Sequence, residues 1–190
     1  SAEAITFTMS SAFTGWVAIG LNNKPTMAGA DMYVGWVGRK TGNVVVLDTH
    51  GTGRETPVPD TEGGGSSDVY DVRGSLVRAR GIQGARLRCS GLTRTAPNAR
   101  RFAAPQADGR LTVTFTRPLA TGDARDWQIT DEPVFLLYGY SDQLVRQGRY
   151  AKHRDFGITR VQLLDPTLRP RPQAAAEAAE AAAGPATETP

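Results

Sequence analysis

Two short stretches far apart in the chain carry side chains suited to holding a metal centre: Met27-Ala-Gly-Ala-Asp31 and His153-Arg-Asp-Phe-Gly157. Met27 offers a thioether sulfur and His153 an imidazole nitrogen, and each stands beside a segment that reads as a buried strand. Brought together from opposite sides, the two would fill both axial positions of a haem iron. Iron ligated in this way has no open position for dioxygen or substrate, so its chemistry is one-electron transfer, and methionine ligation raises its potential. If the fold keeps Met27 and His153 apart, the chain is a folded domain whose ligand or partner is unassigned.

Other residues offer weaker chemistry. Carboxylates at Asp31, Asp48 and Asp60, with backbone carbonyls, have the hard-oxygen character of a Ca²⁺ site. Their spacing forms no recognised calcium loop, however, and an aspartate capping a turn is the plainer reading of Asp31. Met9 and Met32 fall in strand interiors and read as core packing. His50, within Asp48-Thr-His-Gly-Thr-Gly53, reads as a surface-loop histidine. Asp126, Asp131 and Glu132 lie close in sequence, but nothing sets them across a cleft as an acid/base pair. The chain has no histidine-rich copper motif, phosphate loop, zinc pattern or nucleophilic triad. The segment itself therefore reads as non-catalytic, and if the intact protein is an oxidoreductase, its reaction belongs to another domain.

Composition narrows the class. The chain has 190 residues, a net charge of +3 and a single cysteine, Cys89, so it can form no internal disulfide. Without a CxxCH motif, covalent c-type haem attachment is excluded. Eight arginines fall between Arg73 and Arg101. With few aromatics and no nucleic-acid motif among them, they read as a solvated insertion rather than a polyanion site. No apolar run is long enough to span a bilayer, so membrane insertion by this segment is not expected. The start at Ser-Ala-Glu is read as that of a mature or excised piece of a larger protein.

The elements that must position Met27 and His153 are strands. Ile5, Phe7 and Met9 alternate with threonine and serine, which gives one apolar face. Gly15–Leu21 is apolar throughout and suits a central strand. Asp31–Val37 and Asn43–Asp48 form a hairpin across Arg39-Lys-Thr-Gly42. From Thr49 to Asp108 the pattern degrades, with candidate strands at Asp68–Val72 and Ala85–Ser90. Leu111, Val113 and Phe115 alternate with threonines; Pro133–Tyr140 and Gly157–Leu164 are the last two strands. Short strands between Gly/Pro turns, without helical periodicity, predict an all-β antiparallel sandwich. The folded unit is expected to cover 1–168, with an irregular Arg/Gly-rich insertion at about 49–108. Residues 169–190 have a Pro/Ala-rich linker composition with nothing to bury.

Specific residues then match a family. Gly15-Trp-Val-Ala-Ile-Gly20, Met27-Ala-Gly-Ala-Asp31 and a strand ending in Trp36 resemble the core of DOMON domains. So do Arg117-Pro-Leu119, Gly122-Asp123, Asp126-Trp-Gln-Ile129, Tyr138-Gly139 and Gly157-Ile-Thr-Arg-Val-Gln-Leu-Leu164, most closely those of the dopamine β-monooxygenase group. The resemblance implies an immunoglobulin-like β-sandwich that binds haem or sugars, or that serves beside redox domains. In a related branch, the cytochrome domain of cellobiose dehydrogenase, a methionine and a histidine hold the iron. The methionine follows the second apolar strand, as Met27 does here. The histidine opens a His-Thr-Asp-Phe-Gly motif, the counterpart of His153-Arg-Asp-Phe-Gly157. The resemblance thus implies haem b between Met27 and His153, in a slot to which Trp16, Trp36, Phe135, Leu137 and Tyr138 contribute. Arg154 or Lys152 would pair with a propionate.

The implied partner is a transmembrane b-type cytochrome, a flavin domain or a copper domain, on the secreted, extracellular or lumenal side and tethered to a membrane through the parent protein. The alternative is a haem-free accessory domain of a copper-dependent monooxygenase. That domain would bind a cation near Asp31, a sugar or a catechol-like ligand, or mediate assembly.

Overall fold

A computed structural model describes residues 3–77, 87–89 and 110–164, with residues 87–89 as backbone. Among the described residues, ten strands fold into two antiparallel sheets, with no α-helix. The four-stranded sheet has the order β6(Tyr70–Val77), β8(Arg110–Pro118), β1(Ala4–Ser11), β7(Leu87–Cys89). The six-stranded sheet runs β10(Asp155–Val161), β9(Val134–Ser141), β2(Trp16–Asn22), β3(Asp31–Val37), β4(Val44–His50), β5(Val58–Pro59).

The alternations read from the sequence become the two faces of each sheet. Phe7 and Met9 of β1 and Val113 and Phe115 of β8 face the core, where the rings of Phe7, Phe115 and Tyr33 lie 4.8–6.5 Å apart. The threonines and serines between them form a hydroxyl ladder on the other face, Thr6 with Thr116 at 2.9 Å, Thr8 with Thr114 at 3.1 Å and Ser10 with Thr112 at 3.3 Å. The sheets come very close at Gly35. A β-carbon there would lie 2.8 Å from Val113 and 3.1 Å from Met9, so only glycine fits.

β2 is the centre of the larger sheet, and all seven of its residues are buried. Val17, Ile19 and Leu21 enter the main core, while Trp16 and Ala18 join a second cluster with Val34 on the opposite, outer face. A continuous apolar run is what a strand covered on both faces requires. In the region expected to be irregular, the chain also forms β5, a 3-10 helix at Asp60–Gly63 and edge strand β6. Two-residue β5 is too short to leave a period in the sequence. The expected tail 169–190 and most of the arginine-rich stretch lie outside the described residues.

Candidate functional site

The turn that carries Met27 is built by its neighbours. Asn22, at the end of β2, is buried; its side-chain amide donates to the carbonyls of Thr26 at 2.7 Å and Ala28 at 3.1 Å, one on each side of Met27. The Ala30 amide donates to the Met27 carbonyl at 3.0 Å. Gly51, just beyond β4, closes the turn from the other side: its amide donates to Ala30 at 2.8 Å, and its carbonyl accepts from Gly29 at 2.7 Å. A β-carbon on Gly51 would lie 1.9 Å from the Met27 carbonyl oxygen and 3.4 Å from the Met32 sulfur. Met27 itself is half-buried.

His153 lies on the same, outer side of the larger sheet. Its Cβ is 3.5 Å from where a β-carbon of Gly139 would be, and Trp16 is 3.9 Å from that point. Its ring sits 4.8 Å from that of Phe156, and burial, with Lys152 nearby, holds its pKa below the usual histidine value. Its imidazole is thus neutral at pH 7, the form that ligates metals. The register extends this face. Gly139 pairs with Ala18 and Phe156, and Leu137 with Gly20 and Ile158. Phe156 and Ile158 are both exposed.

The loop after β9 covers part of the face. Val145 and Tyr150 pack on Trp16, Ala18 and Val34, the rings of Trp16 and Tyr150 are 5.5 Å apart, and the Tyr150 hydroxyl donates to Pro57 at 3.4 Å. Trp36 is half-buried in this cluster. Tyr138, expected in the slot, and Arg154, expected beside a propionate, have other surroundings. Tyr138 pairs with Ile19, and strand alternation turns it to the core face, where its hydroxyl lies over Gly157. Arg154 is engaged by Asp142 at 2.5 Å and lies over the Phe13 ring at 4.9 Å, so its charge is matched within its own loop rather than offered to a ligand.

On the inner face, at the β3 and β4 ends near the Met27 turn, is a buried group that the sequence only partly announces. Carboxylate oxygens of Asp31, Asp48 and Asp126 lie within 4.8 Å of one another, and all three side chains are buried. Arg117, fully buried at the end of β8, donates to Asp31 at 2.6 Å and to the Tyr33 hydroxyl at 2.6 Å, and lies 3.7 Å from Asp126. Tyr33 and the Trp127 amide also donate to Asp31, each at 2.9 Å, and the Asp68 amide donates to Asp48 at 2.8 Å. Among the described residues, four buried oxygens of the cluster have no hydrogen bond: Oδ1 of Asp31, Oδ1 of Asp48 and both oxygens of Asp126. Burial pushes the pKa of Asp31 up to about 7 and that of Asp48 to about 8, and raises that of Asp126. Asp123 and Asp68 approach Asp126 from the more exposed side.

Asp31 and Asp48 were legible as oxygen donors, whereas Asp126 was not. Its signal is the Gly122-Asp123…Asp126-Trp127 segment that the loop after β8 folds back toward β3. Asp60 pairs instead with His50, Oδ1 to Nδ1 at 2.5 Å, so His50 has a buried carboxylate partner and is not a bare surface histidine.

Two known protein groupings are similar to the chain. The DOMON domain model matches residues 1–80. The mouse (Mus musculus) protein DBH-like monooxygenase protein 2 is 29% identical over 149 residues, which covers 78% of this chain and 18% of that protein. The chain thus spans less than a fifth of the length of this curated relative. Residues 1–80 are thus similar to a DOMON domain, and the two antiparallel sheets accord with that likeness.

Proposed function

We propose that this DOMON module holds b-type haem on the outer face of its larger sheet, between Met27 and His153, and passes single electrons to a redox domain of the same protein or of a partner. One observation carries the reading. The Met27 turn closes on Gly51 beside Met32, and His153 lies over Gly139 and near Trp16 on the outer face. Met32 and Leu137 flank Gly20 between the two places, and apolar Phe156 and Ile158 are exposed beside His153. A thioether and a neutral imidazole are a donor set suited to low-spin haem iron. The bound group would supply the electron chemistry. The chain's own part is to hold the sulfur through Asn22 and Gly51, keep the imidazole neutral, and present an apolar surface. An oxidoreductase parent accords with a relative named as a monooxygenase; an extracellular or lumenal setting belongs to the proposal itself.

Haemin added to the purified protein should give the sharp reduced bands of Met/His ligation. Met27→Ala and His153→Ala should each abolish them. Unchanged bands in both variants would sink the assignment.

The carboxylate cluster favours a second reading, compatible with the first because it occupies the opposite face: a divalent cation, Ca²⁺ by its oxygen donors, held by Asp31, Asp48 and Asp126. Three carboxylates against the one guanidinium of Arg117 leave an excess of two negative charges when all are ionised, which a divalent cation balances. The unpartnered oxygens are the groups that would ligate it. Calorimetric Ca²⁺ binding that is lost in Asp126→Asn tests this reading.

A further inference from the structure

We propose that the carboxylate cluster and the Met27 turn form one linked unit, so that a divalent cation in the cluster tightens the turn that carries Met27. The proposal rests on the cation reading above, and the connection between the two places is short. Asp31 follows Ala30 directly, and Ala30 makes two of the hydrogen bonds that close the turn, one to Met27 at 3.0 Å and one from Gly51 at 2.8 Å. Asp48 stands three residues before Gly51, and the pairing of Asp31 with His50 joins the two strand ends between them. The Thr49 hydroxyl donates to the Met32 carbonyl at 2.8 Å and fastens the same two ends again.

The cluster therefore sits on one side of the β3–β4 end, and the turn sits on the other. Among the described residues, Asp31 and Asp48 share no hydrogen-bond partner at this end, and the Oδ1 atom of each has no hydrogen bond. A cation held by both carboxylates draws β3 and β4 together at Ala30 and Gly51. Gly51 is packed tightly here, since a β-carbon on it would fall on the Met27 carbonyl oxygen. The effect passes through a packed, hydrogen-bonded element that both sites share, which is what coupling between sites requires.

The test uses the whole chain and CaCl₂ as the probe. Methionine methyl resonances, with Met27 assigned by its loss in Met27→Leu, are followed alongside amide exchange at Gly29, Ala30 and Gly51. Calorimetry establishes binding in parallel. Ca²⁺ should shift the Met27 methyl and slow exchange at the three turn amides at least fivefold, while the methyl of Met9 in the core stays fixed. Haemin affinity should rise by a similar factor, within the usual range of intersite coupling, roughly 5–150-fold. Asp126→Asn, remote from the turn in sequence, should remove the response, and Asp48→Asn serves if that variant does not fold. Ca²⁺ binding with an unmoved turn would overturn the link and leave the cation reading standing. Failure of Ca²⁺ to bind would overturn both. A turn that responds in a protein that takes up no haemin would uphold the link and remove the haem reading alone.

Discussion

At the scale of single residues, Gly51 and Arg117 show how little freedom the two candidate sites have. A methyl group on Gly51 would meet a backbone oxygen rather than a flexible side chain, so the Met27 turn would have to open to admit it. Gly51→Ala should cost about 1–3 kcal/mol in urea denaturation, the usual penalty for forcing an atom into a filled space. Arg117 is the sole cation within hydrogen-bond distance of Asp31 among the described residues. Removing one member of a buried ion pair strands the other, so metal-free Arg117→Ala should lose about 3–5 kcal/mol. Pairing it with Asp31→Asn should recover part of that loss. Arg117 was readable only as part of an Arg-Pro-Leu motif. Its hydrogen-bonded ion-pair partner, Asp31, lies 86 residues away, and no local pattern reports such a contact.

Among elements, what could be read was the period and what could not was the facing. The alternation of Leu111, Val113 and Phe115 with threonines, and the unbroken run of β2, describe the strands as they stand. For β9, Phe135–Tyr140 is apolar at every position except Gly139, so the sequence cannot say which face Tyr138 takes. The pairing register decides it, and sends Tyr138 to the core and Gly139 toward His153. The same limit applies to the loop after β9, whose polar composition gave no sign that Tyr150 would cross the outer face to reach Trp16 and Pro57. Among the described residues the buried indole N–H of Trp16 has no hydrogen-bond partner, so the loop shields it from water. Tyr150→Ala should expose Trp16, red-shift the tryptophan emission and hasten proteolysis between Ser141 and His153. An unchanged emission maximum would show that the loop is held by its other contacts alone.

For the molecule as a whole, the buried carboxylates govern how stability varies with pH. Asp31 and Asp48 have folded-state pKa values of about 7 and about 8, raised chiefly by burial above the ordinary value of 3.8. A carboxyl group of this kind binds its proton more tightly in the folded state than in the unfolded one. Its contribution is therefore complete below about pH 4 and is lost as the pH rises through 7 and 8. Asp123 has the opposite sign: the amides of Arg125 and Ser66 hold its pKa down, so its contribution is lost on acidification below 3.8. Chelator-treated protein should accordingly be most stable near pH 4–5, with a melting temperature that falls steadily to about pH 8 and levels beyond it. Ca²⁺ in excess replaces the protons of Asp31 and Asp48 with a bound charge, so it should flatten the descending limb and raise the melting temperature most at pH 8. Scanning calorimetry from pH 4 to pH 9, with chelator and with Ca²⁺, separates the two cases. A descending limb that persists in saturating Ca²⁺ would mean that the cation does not reach these carboxylates.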